Sequence, residues 1–163
     1  LFVATGNTFG ARTWSDGEAV IRLAPDLHRS DNKRDFFAPS DWEALDARDA
    51  DLGGSNPLPL EVPGGGPPLI LALGKDRKAY LLDRNNLGGI GGQLAVETVS
   101  DRAIITAPGN LSCGGRHFRR TSSRRHTLFN SGAGTSHPQN PARFAVGHYD
   151  SLVRISTWQK ALR

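Results

Sequence analysis

The sequence has no methionine and only one cysteine, Cys113, in 163 residues. A lone thiol excludes an internal disulfide, and it excludes a cysteine cluster for zinc or haem, which needs several ligands at close spacing. The lack of Met carries the expectation that the chain is an internal fragment or a processed product. No apolar run reaches the roughly eighteen residues of a membrane-spanning helix. The opening Leu1-Phe2-Val3-Ala4-Thr5 has neither the charged start nor the cleavage end of a signal peptide, so an export signal is expected outside this chain. Long helices are also disfavoured. With 19 Gly, 10 Pro, 37% apolar residues and a mean hydropathy of −0.40, the chain suits short strands joined by many turns, and the expected class is all-β.

Acidic residues are nearly missing from the last third. Residues 1–108 hold 11 basic and 15 acidic side chains, whereas residues 109–163 hold 9 basic residues, Asp150 as the one acid, and four of the five histidines. Such a tail raises the question of nucleic acid, since Arg116, Arg119, Arg120, Arg124 and Arg125 are the residue type that grips phosphate. It lacks, however, any helix-turn-helix, zinc-finger or RNA-recognition pattern, and its aromatics Phe118, Phe129 and Phe144 follow no strand spacing, so nucleic acid is not the expected partner.

The first two thirds are patterned. Leu1 to Thr5 is a β-prone run ended by Gly6-Asn7, and Glu18 to Leu23 alternates around Ala19, Ile21 and Leu23 before Pro25-Asp26 turns the chain. Leu69 to Leu73, the turn Gly74-Lys75-Asp76-Arg77, and Lys78 to Leu82 with Tyr80 and Leu82 on one face read as a β-hairpin. Ala103 to Thr106 reads as a further strand. Ser40 to Asp46 begins with Ser and Asp cap candidates and suits a single helical turn, and Val62 to Pro68 is a breaker-rich loop.

These segments, in this order, resemble the pyrroloquinoline-quinone-like (quinoprotein) β-propeller repeat family. The resemblance rests on Leu1 to Asn7, Glu18 to Leu27, Asp35 to Trp42, Asp49-Ala50-Asp51-Leu52-Gly53-Gly54-Ser55, and Gly74-Lys75-Asp76-Arg77-Lys78-Ala79-Tyr80-Leu81-Leu82-Asp83 continuing to Gly89. It implies that residues 1–108 are a partial propeller, about two four-stranded blades, and that the rest of the blades belong to a parent chain or a protein partner. Arg77 stands where the family has Gly, a departure that costs on the order of 1 kcal/mol if the position needs positive φ. The resemblance ends near Pro108. Residues 109–163 are expected to be an irregular basic tail, disordered or read in a shifted frame.

The family also implies PQQ and Ca²⁺ as cofactors, dehydrogenation of alcohols or sugars as the activity, and a periplasmic or extracellular location. Asp46, Asp49 and Asp51 are the candidate metal ligands, because they recur beside a Gly-rich turn, although the regular Asp-x-Asp-x-Asp-Gly loop with a distal Glu is absent. Trp42 is the candidate for stacking on a planar cofactor, with packing between blades as the competing role. No catalytic residue can be assigned: His28 stands alone in a predicted loop, and His117, His126, His137 and His148 lack metal-ligand spacing. The leading expectation is a non-catalytic propeller scaffold or interaction module, and the alternative is part of a PQQ-dependent oxidoreductase.

Overall fold

The computed structural model describes residues 1–60, 67–106 and 108, together with the backbone of 143–145 and 152–154. It is an all-β structure. Strands β1 (Phe2–Ala4), β2 (Val20–Arg22), β3 (Phe36–Ala38) and β7 (Gly89–Ile90) make a first sheet in the order β1-β2-β3-β7. Strands β4 (Leu58–Leu60), β5 (Leu69–Leu73), β6 (Lys78–Asp83) and β8 (Ala95–Thr98) make a second, in the order β4-β5-β6-β8. The second sheet is antiparallel throughout, with Leu71 opposite both Leu58 and Leu81. In the first, β7 runs parallel to β3, so the chain leaves the second sheet after β6, adds two residues to the edge of the first, and returns. Among the described residues, helix is confined to α1 (Trp42–Asp46) and two single 3₁₀ turns, Lys33–Asp35 and Leu52–Gly54.

The period-2 geometry of strands decides how these sheets pack. In β5, Ile70 and Ala72 face one way and Leu69, Leu71 and Leu73 the other; in β6, Tyr80 and Leu82 are set against Ala79 and Leu81. Val20 and Phe37 of the first sheet meet Ile70, Ala72, Tyr80 and Leu82 of the second in one buried layer, closed by Leu52 and Leu87. Phe37 and Tyr80 form its aromatic contact, with ring centroids 5.4 Å apart. The outer face of the first sheet carries Ala19, Ile21, Phe36 and Ala38, covered by Trp14, whose ring stacks on Phe36 at 4.4 Å. The outer face of the second carries Leu60, Leu69, Leu71, Leu73 and Leu81 against Ile104. Each sheet is thus apolar on both faces.

The expected strands at Leu1–Thr5 and Glu18–Leu23 and the hairpin around residues 74–77 are all present. Ala103–Thr106 is not a strand. Ile104 instead packs side-on against the outer leucine layer, so the β-prone composition serves burial and not pairing. The expected helical turn exists as α1, yet Asp41 makes no side-chain cap there; its carboxylate faces Lys78 Nζ at 3.2 Å. The reading of residues 109–163 as an irregular, disordered or frame-shifted tail lies outside the described residues, apart from β9 (Arg143–Ala145) and β10 (Leu152–Arg154), which pair antiparallel. Most of the Val62–Pro68 loop likewise lies outside them.

Candidate functional site

The densest polar cluster among the described residues lies where the loop of residues 6–17 meets the segment of residues 46–52. Asp46 closes α1 and turns its carboxylate toward the loop. Its Oδ1 accepts the Thr8 N–H and the Thr8 hydroxyl, the latter at 2.9 Å, and Oδ2 accepts the Gly10 N–H at 2.6 Å. The Thr8 backbone bond, seconded by Gly10, holds this carboxyl below the usual range. Asn7 ties the same two segments: its N–H donates to Asp51 Oδ1 at 3.1 Å and its amide nitrogen to the Asp46 carbonyl at 2.9 Å. Between these anchors, Phe9 adopts φ 57° with its side chain 92% exposed.

Asp51-Leu52-Gly53, three consecutive residues of the family-like segment, now have separate physical reasons. Asp51 accepts from Asn7 and from the Lys75 ammonium. Leu52 fills the layer between the sheets. Gly53 passes so close to the first strand's end that a Cβ there would lie 2.7 Å from the Thr5 carbonyl carbon and 2.8 Å from the Gly6 nitrogen.

Glu18 is the member of the cluster that sequence reasoning missed. It is fully buried at φ 51°, with Oε2 accepting the Leu52 N–H at 2.7 Å. Oε1 has no donor. Burial raises this carboxyl to about 7, with Asp51 and then Asp46 adding to the effect against the opposing Leu52 hydrogen bond. The signal in the sequence is slight: an acid directly after Gly17, ahead of Ala19, Val20 and Ile21.

Of the three expected metal ligands, Asp49 and Asp51 meet at the Lys75 ammonium, and Asp46 turns away from them to the loop of residues 6–17. Asp46 is saturated by backbone and hydroxyl donors, Asp49 points outward with its carboxylate mostly exposed, and Asp51 is bonded to Asn7 and Lys75. The Lys75 ammonium lies between Asp49 and Asp51, so the positive charge that balances them is supplied by the chain itself. Asp51 in turn raises the Lys75 pKa, keeping the ammonium charged. These residues do not fit Ca²⁺, and no group of three or more His, Cys, Asp or Glu among the described residues is arranged to hold a metal ion. Trp42 is buried within α1 at 7% exposure, which turns its ring toward protein. His28 is exposed, while Cys113 and the other four histidines lie outside the described residues. The Gly88-Gly89-Ile90-Gly91-Gly92 run supplies β7 and a tight turn and opens no helix, as a nucleotide loop would. Among the described residues no helix is long and apolar enough to cross a membrane.

Comparison with family models, with curated proteins and with solved structures returns no match.

Proposed function

We propose that the chain is a non-catalytic scaffold or interaction module of quinoprotein-like propeller type, completed by further blades from a parent chain or a protein partner. One observation carries this reading: two four-stranded sheets stack face to face through a shared apolar layer, and each is apolar on its outer face as well, where Trp14 and Ile104 of the same chain lie against it. A sheet in a radial stack of blades has a neighbour on both sides, and its strands are apolar on both faces for that reason. The polar cluster supports the same reading, because its carboxylates are spent on backbone N–H groups and on Lys75, which fastens loops to the sheets. The proposed location, periplasmic or extracellular, rests on the sequence resemblance.

The test is a titration of the purified chain with PQQ and Ca²⁺, followed by visible absorbance and by dye-linked oxidation of simple alcohols and sugars, in a sample shown to be folded by circular dichroism. The scaffold reading predicts neither saturable binding nor turnover. Saturable binding with turnover would overturn it in favour of part of a PQQ-dependent oxidoreductase.

A further inference from the structure

Each of the two stacked sheets ends in two edge strands, and the four edges differ in what they present. An edge strand carries a row of N–H and C=O groups that another strand can pair with, unless proline, charge or shortness blocks the approach. In the second sheet, β4 carries Pro59 and β8 carries the exposed Glu97. In the first, β7 is two residues long and lies between Gly88 and Gly91. Strand β1 has none of these guards, since Leu1 to Thr5 holds no charged side chain and no proline.

The register decides which groups of β1 are free. Leu23 donates its N–H to the Leu1 carbonyl at 2.8 Å, and Thr5 donates its own to the Ala19 carbonyl at 2.8 Å, so Leu1, Val3 and Thr5 turn their backbone groups toward β2. The N–H and C=O of Phe2 and Ala4 turn the other way, and among the described residues no strand pairs with that side. All three residues of β1 are partly exposed, whereas Val20 and Ile21 of β2 and the whole of β3 are buried.

We propose that a second copy of this chain pairs with β1, antiparallel about a two-fold axis through Val3. This register sets Phe2 opposite the partner's Ala4 and Ala4 opposite the partner's Phe2. Four backbone hydrogen bonds form, every free group of the edge is used, and the two first sheets become one continuous sheet. Because the same strand is consumed on both copies, assembly closes at the dimer.

Charge selects this edge. The chain has a net charge of +4, so two copies meet at least cost where charged side chains are missing. On β1 the axis brings Val3 against the partner's Val3, with Leu1 beside the partner's Thr5. On β8 the same operation fails. Val99 there donates to the Arg77 carbonyl at 2.9 Å, which leaves Val96 and Thr98 facing outward, and a two-fold axis between them would oppose two copies of Glu97. Size then sets the strength. One short strand buries far less than the roughly 1,200–2,000 Å² of a stable interface, so the pairing is weak, with a Kd on the order of 0.1 mM. It uses an edge and no sheet face, and therefore leaves blade stacking free to occur.

The test uses the full chain. Amide exchange of Phe2 and Ala4 is expected to slow roughly threefold as concentration rises from about 0.05 to about 1 mM, while Val3, paired with Ile21, stays protected throughout. In a mixture of isotope-labelled and unlabelled chains, an intermolecular NOE should join the α-protons of the two Val3 residues, the pair that stands closest when it is not hydrogen-bonded. Ala4→Pro removes an outward donor and keeps the bonds to β2, so that variant should sediment as a monomer at about 1 mM. Exchange at Phe2 and Ala4 that ignores concentration would overturn the pairing, whether those amides are open or protected. So would a dimer that lacks the Val3 contact, or an Ala4→Pro chain that still dimerises. The first two readouts come from the unaltered chain and decide the matter even if the variant fails to fold.

Discussion

Arg77 stands at φ 70° in the turn between β5 and β6, where its N–H donates to the Gly74 carbonyl at 3.0 Å. The left-handed conformation crowds a Cβ against the backbone and costs a non-glycine residue about 1 kcal/mol. The sequence made this position suspect, as a Gly-Lys-Asp turn ending in Arg, and the backbone angle supplies the reason. Arg77→Gly is expected to raise stability by up to roughly 0.5 kcal/mol, after the extra freedom of glycine in the unfolded chain is deducted, read as a higher urea midpoint at unchanged m. A lower midpoint would contradict the strain. Glu18 gives a second prediction. Its folded pKa of about 7 lies above the ordinary carboxyl value of 4.5, so the folded state binds the proton more tightly. That contribution is whole below about 4.5 and disappears as pH rises through about 7, a loss on the order of 3 kcal/mol. The pH profile of Tm should fall across this window and flatten in Glu18→Gln.

Among the strands, legibility followed the pattern of side chains. The β5–β6 hairpin was readable because Leu69 to Leu73 and Lys78 to Leu82 flank a four-residue turn, and the faces were assigned correctly for Tyr80 and Leu82. Strand β2 was readable too, although its alternation conceals Val20, which faces the second sheet while Ala19 and Ile21 face outward. Strands β4, β7 and β8 were not legible as strands: Leu58-Pro59-Leu60 carries a proline, Gly89-Ile90 is two residues long, and Ala95–Thr98 includes exposed Val96 and Glu97. Their pairing is fixed by neighbours far along the chain, which local propensity does not encode. The same limit applied to the site. Spacing grouped Asp46, Asp49 and Asp51, but the fold turns Asp46 to the Thr8–Gly10 loop, sets Asp49 and Asp51 on the Lys75 ammonium, and brings in Glu18 from another element. Within the shared layer, Phe37 is fully buried between β2 and β6, and Phe37→Ala should cost about 3–5 kcal/mol by chemical denaturation. A cost below about 1 kcal/mol would mean that the sheets do not depend on that layer.

Apart from the β9–β10 pair, the described molecule is two sheets held by one apolar layer, with the chain crossing to the first for β7 and the junction of residues 6–17 and 46–52 fastening the loops. Neither sheet has an independent core on that side, since Val20 and Phe37 are buried only by Ile70, Ala72, Tyr80 and Leu82 and their neighbours. The pair should therefore open as one cooperative unit, which is what adjoining blades require of each other. Native-state hydrogen exchange at increasing sub-denaturing urea measures this directly, residue by residue. Amides of β2 and β3 and amides of β5 and β6 are expected to merge into one opening transition with the same free energy and the same urea dependence. Two separate transitions, one for each sheet, would contradict the shared layer and with it the proposed propeller scaffold.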